Sequence, residues 1–186
     1  VHTWWPDTPG TVRDVLFLHS PGWLDPDYLG NLSSFDAAFV LDLGDGTLGV
    51  LGVAVRYHDA VKREVPKPER LPRYRRIATS SSAFTPTGVD TVLDGDLLVT
   101  WLTHLLVLSM LQHPGRKWAW GRFVLVHAAR NTDQVDAGDR YRSLLADDAT
   151  FGTSTIEQLL DASVLPSTAA LRERFVPDST LAKELL

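Results

Sequence analysis

The chain has 186 residues, 44% of them hydrophobic, with six Trp, seven Phe and four Tyr. That is enough for a single domain with a real core, and it excludes a disordered chain. There is no cysteine, which rules out disulfides and Cys-based zinc sites and accords with a cytoplasmic location. The net charge of −5 argues against a general nucleic-acid binder, yet the charge is uneven. Between Arg56 and Arg76 eight basic residues face three acidic ones, a window of +5 that leaves −10 for the rest. Such a face can attract a phosphate backbone, although a solvated basic loop has the same composition.

The opening residues Val1-His2-Thr3-Trp4-Trp5-Pro6 lack the basic-then-apolar pattern of a secretory leader. Val12 to His19 reads as a strand that stops at Ser20-Pro21-Gly22, and Trp23 to Ser34 as a loop. Phe35 to Leu43 is a second strand, turned by Gly44-Asp45-Gly46-Thr47 into a third from Leu48 to His58. The unbroken apolar stretch Val50 to Val55 predicts burial on both faces, as in a sheet covered by helices.

Pro66, Pro68 and Pro72 break the chain before a basic helix from Arg73 to Phe84. Asp96 is the expected N-cap of a long helix to Gln112. Its apolar run, Leu97 to Leu111, is shorter than the roughly 20 residues of a membrane span and is interrupted by Thr100, Thr103, His104 and Ser109. Gly121 to Ala129 is a fourth strand. Helices follow at about Asp133 to Ala146, Ser154 to Ala162 and Ser167 to Phe175, with a short one after Pro177. This order predicts an α/β fold with a mixed sheet of about four strands flanked by helices, in one domain.

Several blocks carry a resemblance. They are Phe17-Leu18-His19-Ser20-Pro21-Gly22, Asp25-Pro26-x-Tyr28-x-Gly30, Ser34-Phe35-Asp36 and Gly52-Val53-x-Val55-x-Tyr57-His58-Asp59. Pro72-Arg73-Tyr74, Trp101-x-x-His104-Leu105-Leu106, Tyr141-Arg142-x-x-Leu145 and Asp148-x-x-Phe151 follow in order. Together, over residues 12 to 175, they resemble a restriction endonuclease-like family of the PD-(D/E)XK nuclease superfamily. The resemblance implies metal-dependent hydrolysis of DNA phosphodiesters. Two carboxylates on adjacent strands hold Mg²⁺, and a lysine two residues after the second one orients the attacking water. Strand alternation explains that spacing, since residues i and i+2 share a face, and a hard cation explains the carboxylates.

Carried over by position, Asp36 matches the first metal ligand, Ala54 stands where the second carboxylate belongs and Arg56 where the lysine belongs. Leu18 takes a further acidic position, and Leu102 and Thr103 replace an Arg-Asp pair before His104. Alanine and leucine cannot ligate a metal, and an arginine is a poor proton acceptor. Ala54 alone would fit one inactivating change, even an engineered one. With Leu18, Arg56, Leu102 and Thr103 it fits decay of the whole site, so Mg²⁺ binding and catalysis are expected to be impaired or lost. A DNA-facing surface around Lys62, Arg63, Arg73 and Arg76 is the expected remnant.

The family's core also begins with a helix ahead of the first strand, and the chain starts too late to hold all of it. A partner protein or segment is expected to supply that helix, with Trp4-Trp5 marking the surface it covers. Other residues carry blander readings. Asp59 is an exposed loop acid, Asp42 and Asp45 are turn residues, and His104 is a hydrogen-bonded core histidine. His19, His58, His104 and His127 have no metal-ligand spacing. Ser20 lacks a nucleophile elbow. Trp23, Trp118 and Trp120 can stack on bases, but packing is the simpler expectation.

Overall fold

The computed structural model describes residues 1–61, 64–163 and 166–176. A five-stranded sheet, β1 (Thr11–His19), β2 (Phe35–Asp42), β3 (Leu48–Arg56), β4 (Trp118–His127) and β5 (Phe151–Thr155), runs in sequence order. The first three strands are antiparallel neighbours, while β3–β4 and β4–β5 are parallel. Parallel neighbours need crossovers. The first consists of a 3-10 turn (Pro68–Arg70) with helices α1 (Leu71–Ser81), α2 (Gly88–Asp94) and α3 (Leu98–Leu111); the second is α4 (Thr132–Ser143). Helices α5 (Ile156–Asp161) and α6 (Thr168–Phe175) follow β5.

The sheet is mixed and helix-flanked as expected, but it has five strands rather than about four. The missed strand, Phe-Gly-Thr-Ser-Thr, is short and polar, and its last residues read as a helix start. Ser154 and Thr155 belong to β5, and Thr155 is the N-cap of α5. Its Oγ1 accepts from Gln158 N at 3.0 Å, and Gln158 Oε1 accepts from Thr155 N at 2.8 Å. This reciprocal pair lets the strand run into the helix without a loop. The stretch after Pro177 lies outside the described residues.

Two further boundaries differ. Helix α1 begins at Leu71, ahead of Pro72, because a proline in the first turn has no hydrogen bond to lose. Asp96 does not cap α3, whose N-cap is Leu97. Its carboxylate instead accepts from Arg140 Nη1 and Nη2 at 2.9 and 3.1 Å, tying α4 to the start of α3. The short α2 was not anticipated.

The main core lies between one sheet face and α1, α3 and α4. Strand β3 is buried on both faces from Leu48 to Ala54, as its apolar run predicts. Two glycines set the packing distances. A Cβ on Gly52 would meet the Phe35 ring at 2.4 Å, and one on Gly121 would meet Val107 of α3 at 2.7 Å. Helix α3 is buried almost all round, including His104. His104 Nδ1 lies 2.9 Å from Tyr141 Oη and Nε2 lies 2.9 Å from Thr150 Oγ1, so the core histidine is hydrogen-bonded on both sides.

The opposite face carries a smaller cluster of Leu51, Val53, Val124 and Val126. Trp5 packs into it edge-on to Phe39, and Trp4 Nε1 donates to Leu159 O at 3.1 Å. The Trp4-Trp5 pair therefore covers the protein's own sheet and α5. No helix among the described residues is long and apolar enough to cross a membrane.

Candidate active site

The site follows from strand register. The β2–β3 ladder runs to Ala37 opposite Val53, and beyond that pair the Asp36 carboxylate reaches across to the Val55 N–H. Ala54 and Arg56, two residues apart on β3, share a face. The structure thus brings Asp36, Ala54 and Arg56 together. Phe17 pairs with Ala37 and His19 with Phe35, which puts Leu18 of β1 abreast of Asp36. Leu18 has a left-handed backbone (φ 48°) and is exposed.

Arg56 Nη1 lies 3.1 Å from Asp36 Oδ2, and the same oxygen accepts the Val55 backbone N–H at 2.7 Å. Arg56 Nη1 also donates to Val55 O at 2.8 Å. Both side chains remain partly exposed, at 25% for Arg56 and 43% for Asp36. Mg²⁺ requires near-octahedral oxygen ligation. Here Ala54 offers no oxygen and Asp36 already shares Oδ2 with two donors. Among the described residues no three of His, Asp or Glu converge on one point. The donor set does not fit a divalent cation.

Arg56 stands between two clefts. The first, about 450 Å³, is lined by Ser33, Ser34, Glu64, Lys67, Arg70, Tyr74, Leu102 and Thr103 among others. Leu102 and Thr103, where the resemblance expects an Arg-Asp pair, line this cleft, and Thr103 Oγ1 donates to Val99 O at 3.0 Å. The second cleft, about 410 Å³, adds His58, Asp59 and Gln134. Asp59 is exposed, and its carbonyl accepts from Gln134 Nε2 at 3.0 Å.

The nominated basic residues do not all gather there. Arg73 and Arg76 line a separate cavity of about 230 Å³ with Asp27, Ser109 and Gln112. Burial, and then Arg76, lower the pKa of Arg73. Lys62 and Arg63 lie outside the described residues. Lys67 and Arg70, which do line the first cleft, were not singled out from the sequence. Their signal was the three-residue spacing around Pro68, since a 3-10 turn stacks residues three apart.

The remaining candidates are structural. Asp42 Oδ1 accepts from Gly44 N, and Asp45 Oδ1 from Thr47 N and Oγ1, which hold the Asp45 carboxyl below its usual range. Trp118 and Trp120 pack into the two clusters, whereas Trp23 is exposed. Burial lowers the His19 pKa and holds His104 down to about 3. Ser20 Oγ is buried without a partner among the described residues, and no acid–base pair forms around it.

A helix-flanked mixed sheet with an acid on one strand, facing the i and i+2 positions of the next, defines a nuclease-like scaffold. A family model of the PD-(D/E)XK nuclease superfamily matches residues 1–177, and the chain belongs to that superfamily. The match extends beyond the resembling blocks at both ends. Comparison with curated proteins and with solved structures found no match.

Proposed function

We propose that this chain is a pseudo-nuclease: a PD-(D/E)XK protein in which metal-dependent hydrolysis of DNA phosphodiesters is lost while a phosphate-facing surface is retained. The observation that carries the reading is the Asp36–Arg56 ion pair. An acid that should hold a cation holds a guanidinium instead, and the neighbouring Ala54 supplies no second carboxylate. Arg56 keeps positive charge near a phosphate but is a poor proton acceptor, because a guanidinium stays protonated. The test is cleavage of plasmid DNA with Mg²⁺ or Mn²⁺. No cleavage above the Asp36→Ala background is expected. Robust Mg²⁺-dependent cleavage abolished by Asp36→Ala would sink the proposal.

A second reading, a protein-assembly module, is favoured by β1. This edge strand is exposed along most of its length, with Phe17 and Leu18 at 76% and 70% exposure. Unpaired edges with apolar side chains invite another strand or chain. Light scattering coupled to gel filtration tests it with Phe17→Ser/Leu18→Asp. On this reading the parent associates and the variant does not. A parent that stays monomeric and captures no partner through this edge counts against it.

A further inference from the structure

The cleft between the Asn31–Ser34 loop and Lys67–Arg70 has the make-up of an anion site. Arg56, Lys67 and Arg70 line it against one acid, Glu64. Arg56 is committed to Asp36, whereas among the described residues neither Lys67 nor Arg70 forms an ion pair. The 3-10 turn between them brings these two cations onto one side.

Beneath them lies Tyr74, only 2% exposed and yet part of the cleft lining. Its hydroxyl accepts from Asn31 Nδ2 at 3.1 Å, and among the described residues its own proton has no acceptor. Buried donors in folded proteins are normally satisfied, so a hydroxyl with a proton to spare in the lining of a cleft can donate to an acceptor bound there. The Ser33 and Ser34 hydroxyls add donors at the rim, while Leu32, Leu98, Val99 and Leu102 form an apolar wall.

We propose that this cleft binds a phosphomonoester without a metal, with Lys67, Arg70 and Tyr74 on the phosphate and the apolar wall against the group it is attached to. Two sources carry that chemistry, a free nucleotide and the phosphorylated end of a nucleic-acid strand. The volume of about 450 Å³ suits a ligand of nucleotide size. The Asn31–Ser34 loop, Arg56 of β3, the segment 64–74 and α3 border the cleft, which stays open to solvent, so either source can reach it. The inference rests on the preceding reading in one respect: Arg56, rather than a metal ion, supplies the positive charge nearest Asp36.

The test is calorimetric titration of the full chain in EDTA with two matched pairs. One is AMP against adenosine, the other a short 5′-phosphorylated oligonucleotide against its 5′-hydroxyl form. In at least one pair the phosphorylated member should bind about tenfold tighter or more. Discrimination in the AMP pair assigns a free nucleotide, and discrimination in the oligonucleotide pair alone assigns a strand end. Lys67→Ala and Arg70→Ala, on partly exposed side chains, should each weaken that binding about fivefold or more with an unchanged circular dichroism spectrum. Tyr74→Phe, which keeps the ring, should weaken it several-fold.

Equal affinity within both pairs, binding that requires Mg²⁺, or binding unaffected by Arg70→Ala would each overturn the proposal. These outcomes are separate from the cleavage assay. A metal-free site can fail in a protein that does not cut DNA, and DNA cleavage can appear whether or not AMP binds.

Discussion

Asp36 and Arg56, twenty residues apart in sequence, meet at 3.1 Å because the β2–β3 hairpin brings the start of β2 beside the end of β3. Asp36 Oδ2 is thereby shared between Arg56 and the Val55 N–H. A second carboxylate at position 54 and a shorter cation at 56 should free Asp36 for a metal ion. In Ala54→Glu/Arg56→Lys, two carboxylates face each other with a shorter cation beside them. We expect this variant to unfold at a lower temperature than the parent in EDTA, because Ala54 is buried and a larger, charged side chain overpacks it. Mn²⁺ should recover several degrees, whereas the parent should not respond. Thermal scans of both proteins with and without Mn²⁺ decide it, and a variant indifferent to the ion counts against the register argument.

Removing the guanidinium alone should have little effect on stability. The pair is partly exposed, and Asp36 keeps the Val55 N–H as a donor. Arg56→Met should change the unfolding free energy by under about 1 kcal/mol, the usual range for a solvent-screened ion pair. Urea denaturation at low and high salt measures this. A loss of several kcal/mol would mean that the pair holds the two strands together.

His104 predicts an acid limb of stability. Burial lowers its folded pKa from 6.5 to about 3, so the folded protein keeps it neutral while the unfolded chain takes up a proton below about pH 6.5. The sign follows: its contribution is complete above pH 6.5 and declines as pH falls from there toward 3, by at most about 1.4 kcal/mol per pH unit. His104→Gln should flatten that part of the profile. It should also cost about 1–3 kcal/mol at neutral pH by disturbing the bonds to Tyr141 and Thr150. Urea unfolding at several pH values separates the two effects.

Gly52 should tolerate no side chain. An added Cβ would stand 2.4 Å from the Phe35 ring, and Phe35 is buried in the core next to Asp36. Gly52→Ala should destabilise by about 1–3 kcal/mol through overpacking. Gly44→Ala has open space around its Cβ but sits at φ 86°, so its cost should come from the backbone alone, about 1–2 kcal/mol. Chemical denaturation of both variants gives the comparison. Equal losses with unchanged near-ultraviolet spectra would contradict the crowding at Phe35.

Much of the scaffold was legible because its signals are local. The Gly44–Gly46 turn, the two-sided apolar run of β3 and the apolar length of α3 each announce themselves within a dozen residues. Asp36, Ala54 and Arg56 could be grouped because a hairpin brings the start of β2 to the end of β3 and strand alternation puts Ala54 and Arg56 on one face. β5 could not be read, since five mostly small or polar residues become a strand only when β4 offers its edge. The cleft residues Ser33, Tyr74 and Thr103 come from three elements whose meeting depends on how α1 and α3 cross, which no short-range pattern encodes. Arg73 and Arg76 show the reverse error: near Lys67 and Arg70 in sequence, they line a different cavity because a helix turns them away.

The parallel ladder β3–β4–β5 sets Arg56, His127 and Thr155 side by side at the carboxyl ends of their strands. Asp36 and Arg56 thus sit at the lip of the hydrophobic block, and Ala54 alone of the three site residues is part of it. Chemistry placed on a lip can be exchanged without dismantling what lies beneath. That separation lets the side chains at the lip vary while the sheet and its packed helices keep the architecture of the superfamily.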